Sequence, residues 1–182
     1  GTSIWEGIRE LSPNAVLSID GSAAAAKPDE FDVAIVVIGE RPYAEGMGDI
    51  RSGDDVIIEA GSQIKGSMKV LEPYGSSLEL SQLHPEDLST IKKITDQGIP
   101  CVVVLVSGRT LIINREIQEA TAFVAAWLPG SEGKGIADVL FGDKNFQGKL
   151  SFSWPKRAKP TINRGDKHYD PLFPYGYGLS YS

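Results

Sequence analysis

The sequence predicts an α/β fold, a three-layer αβα sandwich built on a mostly parallel sheet. Residues 33–38, 102–106 and 123–127 are unbroken apolar runs of strand length, and a strand without a polar face is one covered on both sides. The segments between and after them carry apolar residues at helical spacing. A run of strand, helix, strand, helix generates right-handed βαβ units with helices on both faces of the sheet.

The elements follow in order. Thr2 or Ser3 caps a short helix in which Ile4, Trp5, Ile8 and Leu11 form one stripe, and Ser12-Pro13-Asn14 ends it. Residues 15–19, Ala-Val-Leu-Ser-Ile, read as a strand, and 23–26 as a helical or turn segment before Pro28. The first fully apolar strand, 33–38, runs into a loop over 39–50. Residues 56–60 and 64–71 partly alternate around Gly61-Ser-Gln and read as a hairpin-like insertion over about 51–77. Pro85, Glu86 and Asp87 open a helix suited to the macrodipole, with Leu88, Ile91, Ile94 and Thr95 facing inward until Gly98. Strand 102–106, a helix over 114–121, strand 123–127 and a helix over 132–141 complete the alternating part. Lys149-Leu-Ser-Phe-Ser-Trp154 alternates apolar and polar, which suits an antiparallel edge strand. The division is 1–159 for the sandwich and 160–182 for an ordered closing segment. That segment is packed on the body through Tyr169, Phe173, Tyr175, Tyr177 and Tyr181. Trp5, Trp127 and Trp154 read as core residues, and His84 as a surface one.

Composition narrows the function. At 182 residues, 41% hydrophobic and 23% charged, the chain has the balance of one globular domain. A formal charge of −6 repels polyphosphates, so nucleic acid is not the expected partner. Cys101 is the single cysteine and lies in an apolar run, which excludes an intrachain disulfide and a cysteine-cluster metal site. No apolar stretch approaches the roughly 20 residues of a membrane span. The first residues, Gly-Thr-Ser-Ile-Trp-Glu, have neither Met nor a basic-then-apolar leader, so the chain reads as a piece of a longer one.

Ligands of open α/β sheets bind beyond the carboxyl ends of the parallel strands. Three loops meet that rule: 39–49, Ser107-Gly108-Arg109, and 128–133. The first is the richest, with Glu40, Glu45, Asp49, Arg41 and Tyr43 among three glycines and Pro42. On composition alone it is either a site or a solvated acidic loop. Glu40 lies directly beyond a buried strand, where pairing with Arg41 or Arg109 explains it. No cofactor is predicted. Gly46-Met-Gly48 lacks the third glycine and the following helix of a dinucleotide fingerprint. Gly130-Ser-Glu-Gly133 reads as a tight turn before a helix rather than an anion site. His84 and His168 make no zinc pair, and no Gly-x-Ser-x-Gly is present.

Taken together, Ile35-Val-Val-Ile-Gly-Glu-Arg-Pro-Tyr-Ala-Glu-Gly-Met-Gly-Asp49, Val104-Leu-Val-Ser-Gly-Arg109, Ala125-Ala-Trp-Leu-Pro-Gly-Ser-Glu-Gly133, Ala137-Asp-Val-Leu-Phe-Gly-Asp143, Gly148-Lys-Leu150 and His168-Tyr-Asp-Pro-Leu-Phe-Pro-Tyr-Gly-Tyr-Gly-Leu179 resemble the second domain of glycoside hydrolase family three. The nearest branch is that of the β-glucan exohydrolases and β-glucosidases. The likeness covers nearly the whole chain in order. It departs over 51–77, an insertion relative to shorter plant-like members, and at the start, which falls inside the family's domain.

The resemblance implies a retaining, exo-acting glycosidase whose N-terminal barrel domain, absent from this chain, carries the nucleophilic Asp. This domain would supply the acid/base, which falls on Glu45, the Glu of Pro-Tyr-x-Glu; the fragment alone is expected to be inactive. Tyr43, Asp49 and Arg41 are candidates for contact with sugar hydroxyls. The implied partners are β-glucosides or β-glucan oligosaccharides and the barrel domain, without metal or cofactor, in an extracellular or periplasmic location. A non-catalytic sugar-binding or structural sandwich domain is the alternative.

Overall fold

Three parallel strands form the centre of the structure: β1 (Ala34–Gly39), β4 (Cys101–Val106) and β5 (Ala122–Trp127), in the spatial order β1-β4-β5. The computed structural model describes residues 1–40, 77–160 and 162–182, together with the backbone of two short strands, β2 (Ile57–Ile58) and β3 (Val70–Leu71). The three apolar runs of the sequence are therefore the three neighbouring strands. Ala34 pairs with Cys101 and the register continues unbroken to Gly39 and Val106. β4 and β5 stay in register from Val102 and Ala122 until a shift at Leu105 and Val106.

One face of this sheet carries the main core. Val36, Ile38, Cys101, Val103 and Leu105 project to it and meet Leu80, Ile91, Ile94, Leu111 and Ile113. These come from α3 (Leu80–Leu83), α4 (Pro85–Thr95) and the approach to α5 (Asn114–Glu119). Helix α4 forms as its sequence demands, with Pro85 at its start, two acids in the first turn, two lysines in the last, and Gly98 at φ +79° beyond its end. Ile91 is wholly buried, and removing such a side chain from water stabilises by about 1.5–3 kcal/mol. Val104, which strand alternation sends to the opposite face, is equally buried.

Helix α1 (Ile4–Leu11) starts with Ser3, whose hydroxyl accepts from the Glu6 amide while the Glu6 carboxylate accepts from the Ser3 amide, a reciprocal capping box. It packs on α6 (Gly133–Leu140). Gly7 marks the crossing: a Cβ there would stand 2.8 Å from the Lys134 Cα. Between these lie α2 (Ser22–Ala26) and a single 3₁₀ turn, Pro28–Glu30.

Several expectations are corrected. Residues 15–19 form no strand; Val16, Leu17 and Ile19 are exposed and meet no strand partner among the described residues, so the apolar pattern is there without the ladder that would order it. Residues 149–154 form no edge strand either. Their antiparallel pairing reduces to one bridge between Trp154 and Phe173, flanked by Leu150 donating to the Tyr177 carbonyl, because the chain bends at Ser151 and Phe152. Trp154 is core, its Nε1 donating to the Leu111 carbonyl at 2.8 Å. Trp5 is only half-buried, with the Arg9 guanidinium over its ring. His84, expected at the surface, has a side chain only 17% exposed, with Nδ1 3.4 Å from Glu86. In the 51–77 stretch the described part is an antiparallel pair, Ile57 with Leu71 and Ile58 with Val70.

Candidate functional site

The carboxyl ends of β1, β4 and β5 come together in a backbone lacing that leaves little freedom. The Glu40 amide donates to the Val106 carbonyl and the Ser107 amide to the Trp127 carbonyl, both at 3.1 Å. Gly39 sits so close to its neighbour that a Cβ would be 2.2 Å from the Val106 oxygen. Trp127, at the register shift, has φ +55°, a left-handed backbone that a bulky residue adopts only where surrounding structure imposes it.

Into this corner β1 delivers Glu40, whose side chain is 1% exposed. The Arg109 guanidinium answers its charge. Nε donates to Oε1 and Oε2 at 3.1 and 3.2 Å, and Nη2 donates to Oε1 at 2.7 Å. Ser107, 2% exposed, lies within 2.7 Å of Glu40 Oε2 and 2.9 Å of the Arg109 carbonyl. Its one hydroxyl proton serves one of these at a time, while its oxygen accepts from the Arg109 amide. Of the two arginines the sequence offered as partners for Glu40, the described contact is with Arg109.

Two further carboxyls are withdrawn from solvent, Asp87 in part and Glu116 wholly. Asp87, in the first turn of α4, has its carboxyl pushed up to about 6 by loss of solvent. His84 and the Gly39 amide pull the other way, and Glu86 adds to the rise. Its Oδ2 is buried without a hydrogen-bond partner among the described residues. Glu116 on α5 is 1% exposed, and neither of its oxygens has a hydrogen-bond partner among the described residues. Burial raises its pKa, and the Glu79 and Asp87 charges push the same way against the pull of its own amide and Arg115. The sequence reading missed both residues. Their signal was helical phase: Asp87 shares the stripe of Ile91 and Ile94, and Glu116 that of Ile113 and Ile117. Burial likewise pushes the Cys101 thiol up to about 11, as suits an inert apolar residue.

The other expected sites are placed as follows. Glu45, Tyr43, Asp49 and Arg41 lie outside the described residues. At the 128–133 turn the first amides of α6 are already used, Gly133 donating to the Thr2 carbonyl and Lys134 to Thr2 Oγ1. Glu132 is exposed at the start of that helix. His168 is exposed in the closing segment.

Comparison with known proteins places the chain. The family model of the glycosyl hydrolase family 3 C-terminal domain matches residues 1–181. The periplasmic beta-glucosidase of Salmonella typhimurium is 34% identical over 194 aligned positions, which take in 94% of this chain and 21% of that protein. The crystal structure of an exo-1,3/1,4-beta-glucanase from a Pseudoalteromonas species superposes with a TM-score of 0.72 at 41% identity, covering 98% of this chain and 20% of that one. A beta-glucosidase from Listeria innocua gives 0.67 at 25% identity, covering 100% and 26%. The chain thus spans about a fifth to a quarter of the length of these proteins.

Proposed function

The chain belongs to the glycosyl hydrolase family 3 C-terminal domain family, and on that footing we propose that it is the C-terminal part of a retaining, exo-acting β-glucosidase or β-glucan exohydrolase. Glu45 is its general acid/base, and an N-terminal barrel domain of the same protein carries the nucleophilic Asp. The observation that carries this reading is the anchoring of Glu40 at the carboxyl edge of β1, the edge at which parallel α/β sheets bind ligands. Residues 41–50 follow Glu40 directly in the sequence.

The alternatives among the acids fare worse. Glu40 is engaged by Arg109 and Ser107, and its side chain is only 1% exposed, which turns it away from a substrate. Glu132 is exposed at a helix start, beyond β5 rather than β1. Glu45 matches the acid/base position of the resembled motif.

In the mechanism, the barrel's Asp attacks the anomeric carbon while the Glu45 carboxylic acid protonates the departing oxygen. The resulting carboxylate then takes a proton from water, which releases the sugar with retention. Tyr43, Asp49 and Arg41 contact sugar hydroxyls, and the substrates are β-glucosides or β-glucan oligosaccharides. The location is extracellular or periplasmic, in keeping with the name of the Salmonella relative.

The test is Glu45→Gln in the complete two-domain enzyme. Turnover on alkyl β-glucosides falls by about 10²–10⁴-fold, the usual worth of general acid catalysis. Glycosylation by dinitrophenyl β-glucoside, whose leaving group needs no proton, is largely spared, and azide restores product formation. Equal losses on both substrates without azide rescue would move the acid/base elsewhere. Turnover by the 182-residue chain alone would remove the two-domain division.

A further inference from the structure

We propose that the groove beside β5 seats one further strand, an extended apolar segment of the same protein's polypeptide from outside these 182 residues, which pairs with the β5 edge. β5 ends the sheet order β1-β4-β5, and among the described residues only β4 pairs with it. Its six residues, Ala-Phe-Val-Ala-Ala-Trp, carry no charge and no proline, the devices that keep natural edge strands from further pairing. Alternate residues of an edge strand turn their amides and carbonyls away from the sheet, and such groups find partners wherever they are covered. A groove of about 730 Å³ runs alongside. Ala122, Phe123, Val124 and Ala125 line it one after another, so both faces of the strand border it. Its other lining comes from α5 and from 146–154 and 173–181, including Leu150, Phe152, Tyr177 and Tyr181. Residues 149–154 bridge to Phe173 through Trp154 rather than to β5, which leaves the edge open.

The space selects its occupant. It lies between β5 and a wall made by the same chain, so it admits one extended segment; the sheet edge of a second copy would bring its own wall and collide. A sugar chain is a poor match, because Lys149 is the only charged side chain among the described lining residues and most of the others are apolar, whereas hydroxyls leaving water need hydrogen-bond partners. A run of about five or six residues, apolar on both faces, suits the groove and the length of β5. A protein of the relatives' length has such a segment to supply, since this chain spans only about a fifth to a quarter of them. The proposal rests on that family membership and is independent of Glu45.

The experiment uses the complete enzyme. Hydrogen exchange, followed by mass spectrometry, is read at residues 122–127. Expected is slow exchange at all of these amides, about 10²-fold or more below the free-chain rate, whereas an open edge leaves alternate amides near that rate. Phe152→p-benzoylphenylalanine puts a photoreactive group in the groove, and irradiation should join it to a peptide of the same polypeptide outside the 182 residues. Fast exchange at the edge, cross-links confined to the 182 residues, or a cross-link between two copies would overturn the proposal. So would an edge that becomes slow only when laminaripentaose is added. Should the photoreactive variant fail to fold, Gly148→Trp takes its place. A Cβ at Gly148, which also lines the groove, meets nothing within 4 Å among the described residues, so an empty groove tolerates the larger side chain. A filled one does not: a melting temperature lower by about 2–10 °C and faster exchange at β5 are expected, and no change in either would count against the proposal.

Discussion

Arg109 Nη2 lies 2.7 Å from Glu40 Oε1, joining the first residue beyond one buried strand to the third residue beyond its neighbour. Arg109 is 19% exposed and Glu40 1%, so the carboxylate depends on the guanidinium far more than the reverse. Removing either partner has unequal consequences.

Arg109→Met should destabilise by about 2–4 kcal/mol, because it strands a buried charge, whereas Glu40→Leu/Arg109→Met should return to within about 1–2 kcal/mol of the parent. Urea unfolding measures both.

Gly39→Ala should cost about 3 kcal/mol or more, as its methyl would meet the Val106 oxygen at 2.2 Å, and backbone in a sheet cannot yield cheaply. Gly7→Ala meets the Lys134 Cα at 2.8 Å, and two helices can separate slightly. A loss of about 1–3 kcal/mol is expected there, read as a lowered melting temperature.

Asp87 makes stability depend on pH. Its carboxyl rises from an ordinary 3.8 to about 6 in the folded protein, so the folded state binds the proton more tightly. Stability then falls as pH climbs through that interval. Asp87→Asn removes the effect: its melting temperature should exceed the parent's at about pH 8 and converge on it near about pH 4. A parent and variant with parallel pH profiles would contradict this.

Glu116→Gln should stabilise at neutral and alkaline pH, since it keeps the shape and removes a carboxylate with both oxygens buried and unpartnered. The folded-state pKa is raised, so the gain shrinks on acidification as the parent's own carboxyl becomes neutral. Unfolding midpoints at two pH values test the sign.

The three central strands, the inward stripe of α4 and the cap at Ser3 were legible in the sequence because each rests on a local pattern: an apolar run, a helical spacing, a hydroxyl three residues before a carboxylate. The alternating runs at 15–19 and 149–154 show the limit of such patterns. A strand needs a ladder partner, and partners are set elsewhere in the chain. Asp87 and Glu116 stood on the apolar stripes of their helices, yet charge type argued for solvent, and only tertiary packing buries Glu116 and half-buries Asp87. Glu40 had two arginines within reason. The parallel register of β1 and β4 brings Arg109 to it, because register carries distant residues to one edge and no local rule of propensity or spacing encodes it.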